Sequence, residues 1–159
     1  MTVSERGFTL IEMLVVLAII AILALTALPN TQDKFIRNQI SEALPLADIA
    51  KAPVAATWAA TKKLLPDNAS AGLPSADKVV SNFVRSVAIE NGAIQITFGN
   101  RATPLINGKI ISLRPAVIED AQIVPITWVC GYAGAPDKMT VKGENKTNID
   151  SKYLPMLCR

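Results

Sequence analysis

With 159 residues, half of them hydrophobic, the chain is long enough for one ordinary domain plus an extra element and too short for a second large one. It has no histidine and only two cysteines, which excludes a His/Cys metal cluster and a histidine-based catalytic triad. The net charge of +3 comes from positive residues scattered among acids, a balance that speaks for solubility rather than for nucleic acid.

The first predicted element lies in RGFTLIEMLVVLAIIAILALTALP, residues 6–29. A helix over residues 8–28 rises roughly 31 Å, close to the thickness of a bilayer's hydrocarbon core, and no other run in the chain is comparable. A secretory signal would carry a shorter apolar stretch with a small-x-small cleavage site behind it. Here PNTQDKF follows instead, and the charged leader MTVSER precedes Gly7, so a cut after the glycine would discard the leader and keep the helix. Glu12 is the informative residue, because a carboxylate inside lipid costs about 2.5 to 3.5 kcal/mol on insertion scales. If the mature chain began at Phe8, its amine would lie four residues from Glu12, about 6 Å along one helix. The plain alternative is a single-pass anchor whose Glu12 snorkels to the headgroups.

Gly7, Phe8, Thr9, Leu10, Ile11 and Glu12, followed by MLVVLAIIAILALTALP, resemble the class III signal of type IV prepilins and of the related pseudopilins of type II secretion. The resemblance implies that a membrane prepilin peptidase cleaves after Gly7 and methylates the new amine of Phe8. It further implies that Glu12 neutralises the amine of an adjacent subunit during filament assembly.

Pro29 is expected to end or loosen the apolar helix by removing an amide donor. The following TQDKFIRNQISEALPLADIAKAPVAATWAATKKLL is amphipathic, with Phe35, Ile36, Ile40, Leu44 and Ala47 on a broken apolar face, and Pro45 and Pro53 predict a bent path. LPDNASAGLPSADKVVS, residues 65–81, reads as a loop with a short helical turn. Asn68 and Asn145 each begin an N-x-Ser/Thr sequon, a weak signal for a glycan.

The hairpin signature is sharper: Val87 and Ile89 alternate before Asn91-Gly92, and Ile94, Ile96 and Phe98 alternate after it. GKIISLRP and VPITWVC supply two more strands, the first closed by Pro115. The whole predicts an α+β fold with the amphipathic helix across an antiparallel sheet of about four strands. Glu90, Glu119 and Asp120 read as solvated turn residues rather than catalytic carboxylates, and Trp58 and Trp128 as core aromatics.

Cys130 and Cys158 form an even pair without ligand partners, in a part of the chain that the apolar helix would leave outside the cytoplasm; such a pair reads first as a disulfide. The flanking ITWVCGY and YLPMLCR look like the disulfide-bounded terminal segment of type IVa major pilins, whereas type II pseudopilins generally lack it. In this terminal segment Lys138, Lys142, Lys146, Lys152 and Arg159 alternate with Asp137, Glu144 and Asp150. That pattern reads as a solvated charged rim, with DNA binding the weaker alternative.

Together these features imply the type IV pilin fold: a leader at residues 1–7, a membrane and filament-core helix at 8–29, and an amphipathic helix with globular head at 30–159. The resemblance implies a non-enzymatic structural subunit, with no cofactor or metal, of an extracellular fibre used for adhesion, twitching motility or DNA uptake. Its expected partners are other copies of itself, the prepilin peptidase, the inner-membrane assembly machinery and minor pilins. A minor pilin or type II pseudopilin is the nearest alternative, and a membrane-anchored periplasmic enzyme the more distant one.

Overall fold

The computed structural model describes residues 7–27 and 29–159; the expected leader, residues 1–6, and Leu28, the expected last residue of the apolar span, lie outside them. The chain divides into two compact units, Met1–Lys34 and Phe35–Arg159.

In the first unit, helix α1 runs Leu10–Ala27 and α2 starts at Pro29. Pro29 stands at the first position of α2, where its missing amide donor costs no helical hydrogen bond. Every side chain described from residue 7 to residue 26 is exposed, so α1 offers apolar surface all round. Among the described residues no helix is long and apolar enough to cross a membrane. With 18 residues α1 rises only about 27 Å.

The second unit opens within α2 (Pro29–Ala43), which passes through a 3-10 turn at Leu44–Ala47 into α3, Asp48–Thr61. Pro45 sits in the first turn of the 3-10 segment and so marks the break in the helical path, whereas Pro53 is accommodated inside α3. There its ring leaves the carbonyl of Ile49 without an intrahelical donor, which is tolerable because Ile49 faces solvent. Ile36, Ile40, Ala43, Ala47, Ala50, Val54 and Trp58 are buried at intervals of three and four residues, so one stripe persists through the 3-10 turn. Its middle is alanine, which lets the backbone approach the sheet closely. Phe35 does not join the stripe: it is 56% exposed, and the apolar face begins one residue later, at Ile36. α3 stops at Lys62, whose left-handed φ of 59° lets its N–H reach the Trp58 carbonyl at 2.9 Å.

The sheet follows in the order β1 (Val84–Glu90), β2 (Ala93–Phe98), β3 (Ile110–Val117), β4 (Thr127–Cys130), all antiparallel, with a two-residue β5 (Thr140–Val141) added against the end of β3. Asn91 and Gly92, at φ 48° and 85°, make the tight hairpin turn that only residues tolerant of positive φ allow. Val87 lies opposite Ile96 and Ile89 opposite Ile94. These four side chains, Phe98 and the helical stripe from Ile36 to Val54 form one core.

Pro115 lies inside β3 rather than closing it. β3 last pairs with β2 at Leu113, and the Pro115 carbonyl accepts from the Lys142 N–H at 2.8 Å on the approach to β5. The missing amide therefore falls in the gap between two partners, where no ladder bond is lost.

Residues 65–81 form the expected loop with a 3-10 turn at Ala76–Lys78. Asn68 gives this loop a purpose: its Oδ1 accepts from the Ile89 N–H at 2.6 Å, and its Nδ2 donates to the Val87 and Pro74 carbonyls. A side-chain amide thus pairs with the outer edge of β1 as a neighbouring strand would, which blunts that edge against adventitious pairing. The same bonds occupy the nitrogen that a glycan would need.

Candidate assembly site

In the first unit the site is the start of α1. Thr9 precedes the helix, and its carbonyl accepts from the N–H groups of Glu12 and Met13 at 3.1 and 3.3 Å. The Glu12 carboxylate turns back to accept from the Thr9 N–H at 3.4 Å and the Thr9 hydroxyl at 3.3 Å. This is half of a capping box, with a carboxylate where the helix dipole favours negative charge. Gly7, Phe8, Thr9 and Glu12 line one hollow, so the three residues singled out from sequence are brought together. Thr9 was not singled out; the Thr-x-x-Glu spacing that reveals its role was in plain view.

In the second unit the terminal segment is held at many points. Cys130 and Cys158 are bonded, with Cα atoms 4.5 Å apart. The Tyr132 N–H donates to the Cys158 carbonyl at 3.0 Å, and Gly131, at φ 58°, passes so close to that carbonyl that a Cβ would collide with it. Ile149 and Leu154 enter the core. The Ser112 hydroxyl, fully buried, donates to Gln95 Oε1 at 2.5 Å and accepts from the Lys146 N–H at 2.8 Å, while Gln95 Nε2 donates to the Glu144 carbonyl at 3.0 Å. The helix face contributes Arg37, whose guanidinium donates twice to the Lys152 carbonyl, at 3.1 and 2.6 Å.

The charged rim is more than solvated. Lys146 pairs with Glu90, and Lys142 with Glu119, so two of the turn carboxylates anchor the terminal segment to the sheet. Hydrogen bonding and charge from Lys142 hold the Glu119 carboxyl below the ordinary range, and the Glu90 hydrogen bond, against some desolvation, raises Lys146. The depressed acid contributes above its unfolded pKa, and its contribution is lost as pH falls through the folded value. The raised amine contributes below its unfolded pKa and loses its share as pH climbs through the folded value. The anchoring is therefore strongest across the neutral range. Both pairs are largely exposed and individually weak.

A family model described as pilin, of bacterial filaments, matches residues 37–159, and a prokaryotic N-terminal methylation motif matches residues 3–28. The chain belongs to the pilin family. Among curated relatives, a type IV major pilin protein PilE of Neisseria gonorrhoeae is 36% identical over 165 residues, covering 100% of this pilin and 96% of the relative. A fimbrial protein of Neisseria meningitidis serogroup B is 32% identical over 167 residues, with 100% and 96% covered. The fimbrial protein EcpC of Eikenella corrodens is 34% identical over 158 residues, with 98% and 91% covered. The methylation motif contains Gly7, Phe8 and Glu12, and the pilin match contains both cysteines. The antiparallel sheet, the helix packed on it and the bonded cysteine pair of this pilin agree with the fold read from its sequence.

Proposed function

We propose that this pilin is the structural subunit of a type IV pilus, made as an inner-membrane precursor, cut after Gly7, methylated on Phe8 and polymerised without covalent bonds. The observation that carries this reading is α1, a helix whose described apolar side chains are exposed on every face. Lipid can cover such a helix before assembly and copies of itself afterwards; each square ångström of apolar surface removed from water is worth roughly 25 cal/mol. The relatives' names, type IV major pilin and fimbrial protein, point the same way and favour the abundant subunit.

Glu12 then has two successive tasks. In the separate subunit its carboxylate rests on Thr9 through long bonds of 3.3 and 3.4 Å. Bonds of that length leave acceptor capacity for a stronger donor, and the Phe8 amine of a neighbour in the fibre supplies it. The prepilin peptidase, the inner-membrane assembly machinery and minor pilins complete the set of partners this reading requires.

Replacing Glu12 by leucine tests the assignment in the bacterium that assembles the fibre. The variant is expected to be cut and methylated normally, while fibre sheared from the surface falls about tenfold or more as a charge-assisted contact is lost. Wild-type amounts of fibre from E12L would overturn the role given to Glu12.

A further inference from the structure

Among the described large apolar side chains of the head the most exposed is Ile123, at 93%, on the loop between β3 and β4, ahead of Leu157 at 84% and Met156 at 82% near the carboxyl terminus. The loop is not slack. The Ala121 N–H donates to the Ile118 carbonyl at 3.3 Å, the Val124 N–H to the Ala121 carbonyl at 3.1 Å, and Gln122 Nε2 to the Glu119 carbonyl at 2.9 Å. Its own hydrogen bonds therefore hold Ile123 outward, the arrangement that lowers the entropic cost of docking. Beside it, Asp120 takes part in no ion pair among the described residues, unlike Glu119.

At the opposite end of the same unit lies a groove of about 480 Å³ lined chiefly by Phe35, Phe83, Arg101 and Pro104. It too is held in place: Gln39 Oε1 accepts from the Thr103 N–H and hydroxyl at 3.1 and 3.2 Å, and the Arg101 N–H donates to the Asn82 carbonyl at 2.9 Å. Arg101 likewise has no ion-pair partner among the described residues. The two ends are identified by the helix that runs between them. The groove is bordered by Phe35 and Gln39 near its start, whereas Glu119 shares a pocket with Trp58 and Lys62 at its finish. Gln39 and Trp58 are separated by roughly 30 Å of helical rise.

We infer that Ile123 of one subunit inserts into the Phe35–Phe83 groove of a second copy, with Asp120 meeting Arg101 across the contact. An apolar side chain held out at one end, an apolar groove at the other, and beside them an acid and a base in no ion pair among the described residues are complementary in apolar character and in charge. A contact joining opposite ends of identical molecules is heterologous, so it propagates as a stack instead of closing into a dimer. The inference rests on the pilus-subunit reading and adds to it a head-to-head contact beyond the packing of the apolar helices.

Charge reversal in the full chain tests it. R101E, D120R and I123D are surface changes, and the amount of processed, disulfide-bonded subunit in the membrane reports that each folds. Each is expected to lower sheared fibre about tenfold at constant membrane pool, and R101E combined with D120R to return it to within about twofold of wild type. Unchanged yield in the single variants, or a double variant no better than either, would overturn the contact and leave the groove to a different occupant. Absence of the wild-type chain from sheared fibre would instead sink the pilus reading, and this contact with it.

Discussion

Full-length protein in detergent in which Cys130 and Cys158 are both replaced by serine is expected to unfold with about 3.6 kcal/mol less stability than wild type, the chain-entropy value for this loop. The bonded residues are 28 apart in sequence, so the cross-link removes much of the freedom of the unfolded chain. In the folded state the bond also keeps the Cys158 carbonyl against Gly131 and in reach of the Tyr132 N–H. Denaturant unfolding of the two proteins measures the difference. A loss below about 1 kcal/mol would mean that the noncovalent anchors, Ile149 and Leu154 in the core and Arg37 on the Lys152 carbonyl, hold the segment unaided. A loss near the full value would be a large share of a marginal domain's stability.

Phe98→Ala is expected to cost about 3 to 5 kcal/mol, and Phe35→Ala less than about 0.5 kcal/mol, in the same measurement. Phe98 on β2 is the largest of the fully buried side chains, and its backbone is pinned by bonds between its N–H and the Lys109 carbonyl and between its carbonyl and the Gly108 N–H. Truncation would open a cavity that this ladder prevents from collapsing. Phe35 is half in solvent and borders the groove. Equal costs for the two would place Phe35 in the core after all and remove a wall of the proposed docking site.

The contrast between these two phenylalanines shows what the sequence carries and what it does not. Periodicity located the helical stripe, yet a helix has no sharp apolar edge, and Phe35 lies one step of about 100° from Ile36. Whether that step faces core or solvent depends on the curvature of the sheet beneath. The Asn91-Gly92 hairpin was legible because its turn demands positive φ at both positions, a purely local requirement. Pro115 misled for the opposite reason. A proline normally closes a strand, and only the gap between β2 and β5 on the same side of β3, a tertiary fact, permits it inside.

The same distinction governs the sites. Gly7, Phe8 and Glu12 declare themselves through spacing within six residues, and Thr9 could have been read in the same way. The partners of the terminal segment could not. Glu90 and Lys146 are 56 residues apart, and Arg37 reaches a carbonyl 115 residues away, separations for which charge patterning along the chain carries no information. Asn68 is the plainest case: as a sequon it suggested modification, but in the fold its amide is fully engaged on the edge of β1.

The central claim is that this chain is processed at Gly7 and built into a surface fibre, and intact mass of material sheared from the cell surface tests it most directly. The account predicts an abundant species that lacks residues 1–7, carries one added methyl group and gains two hydrogens on reduction of the Cys130–Cys158 bond. A chain that is absent from the sheared material, or present with its leader intact, would contradict it.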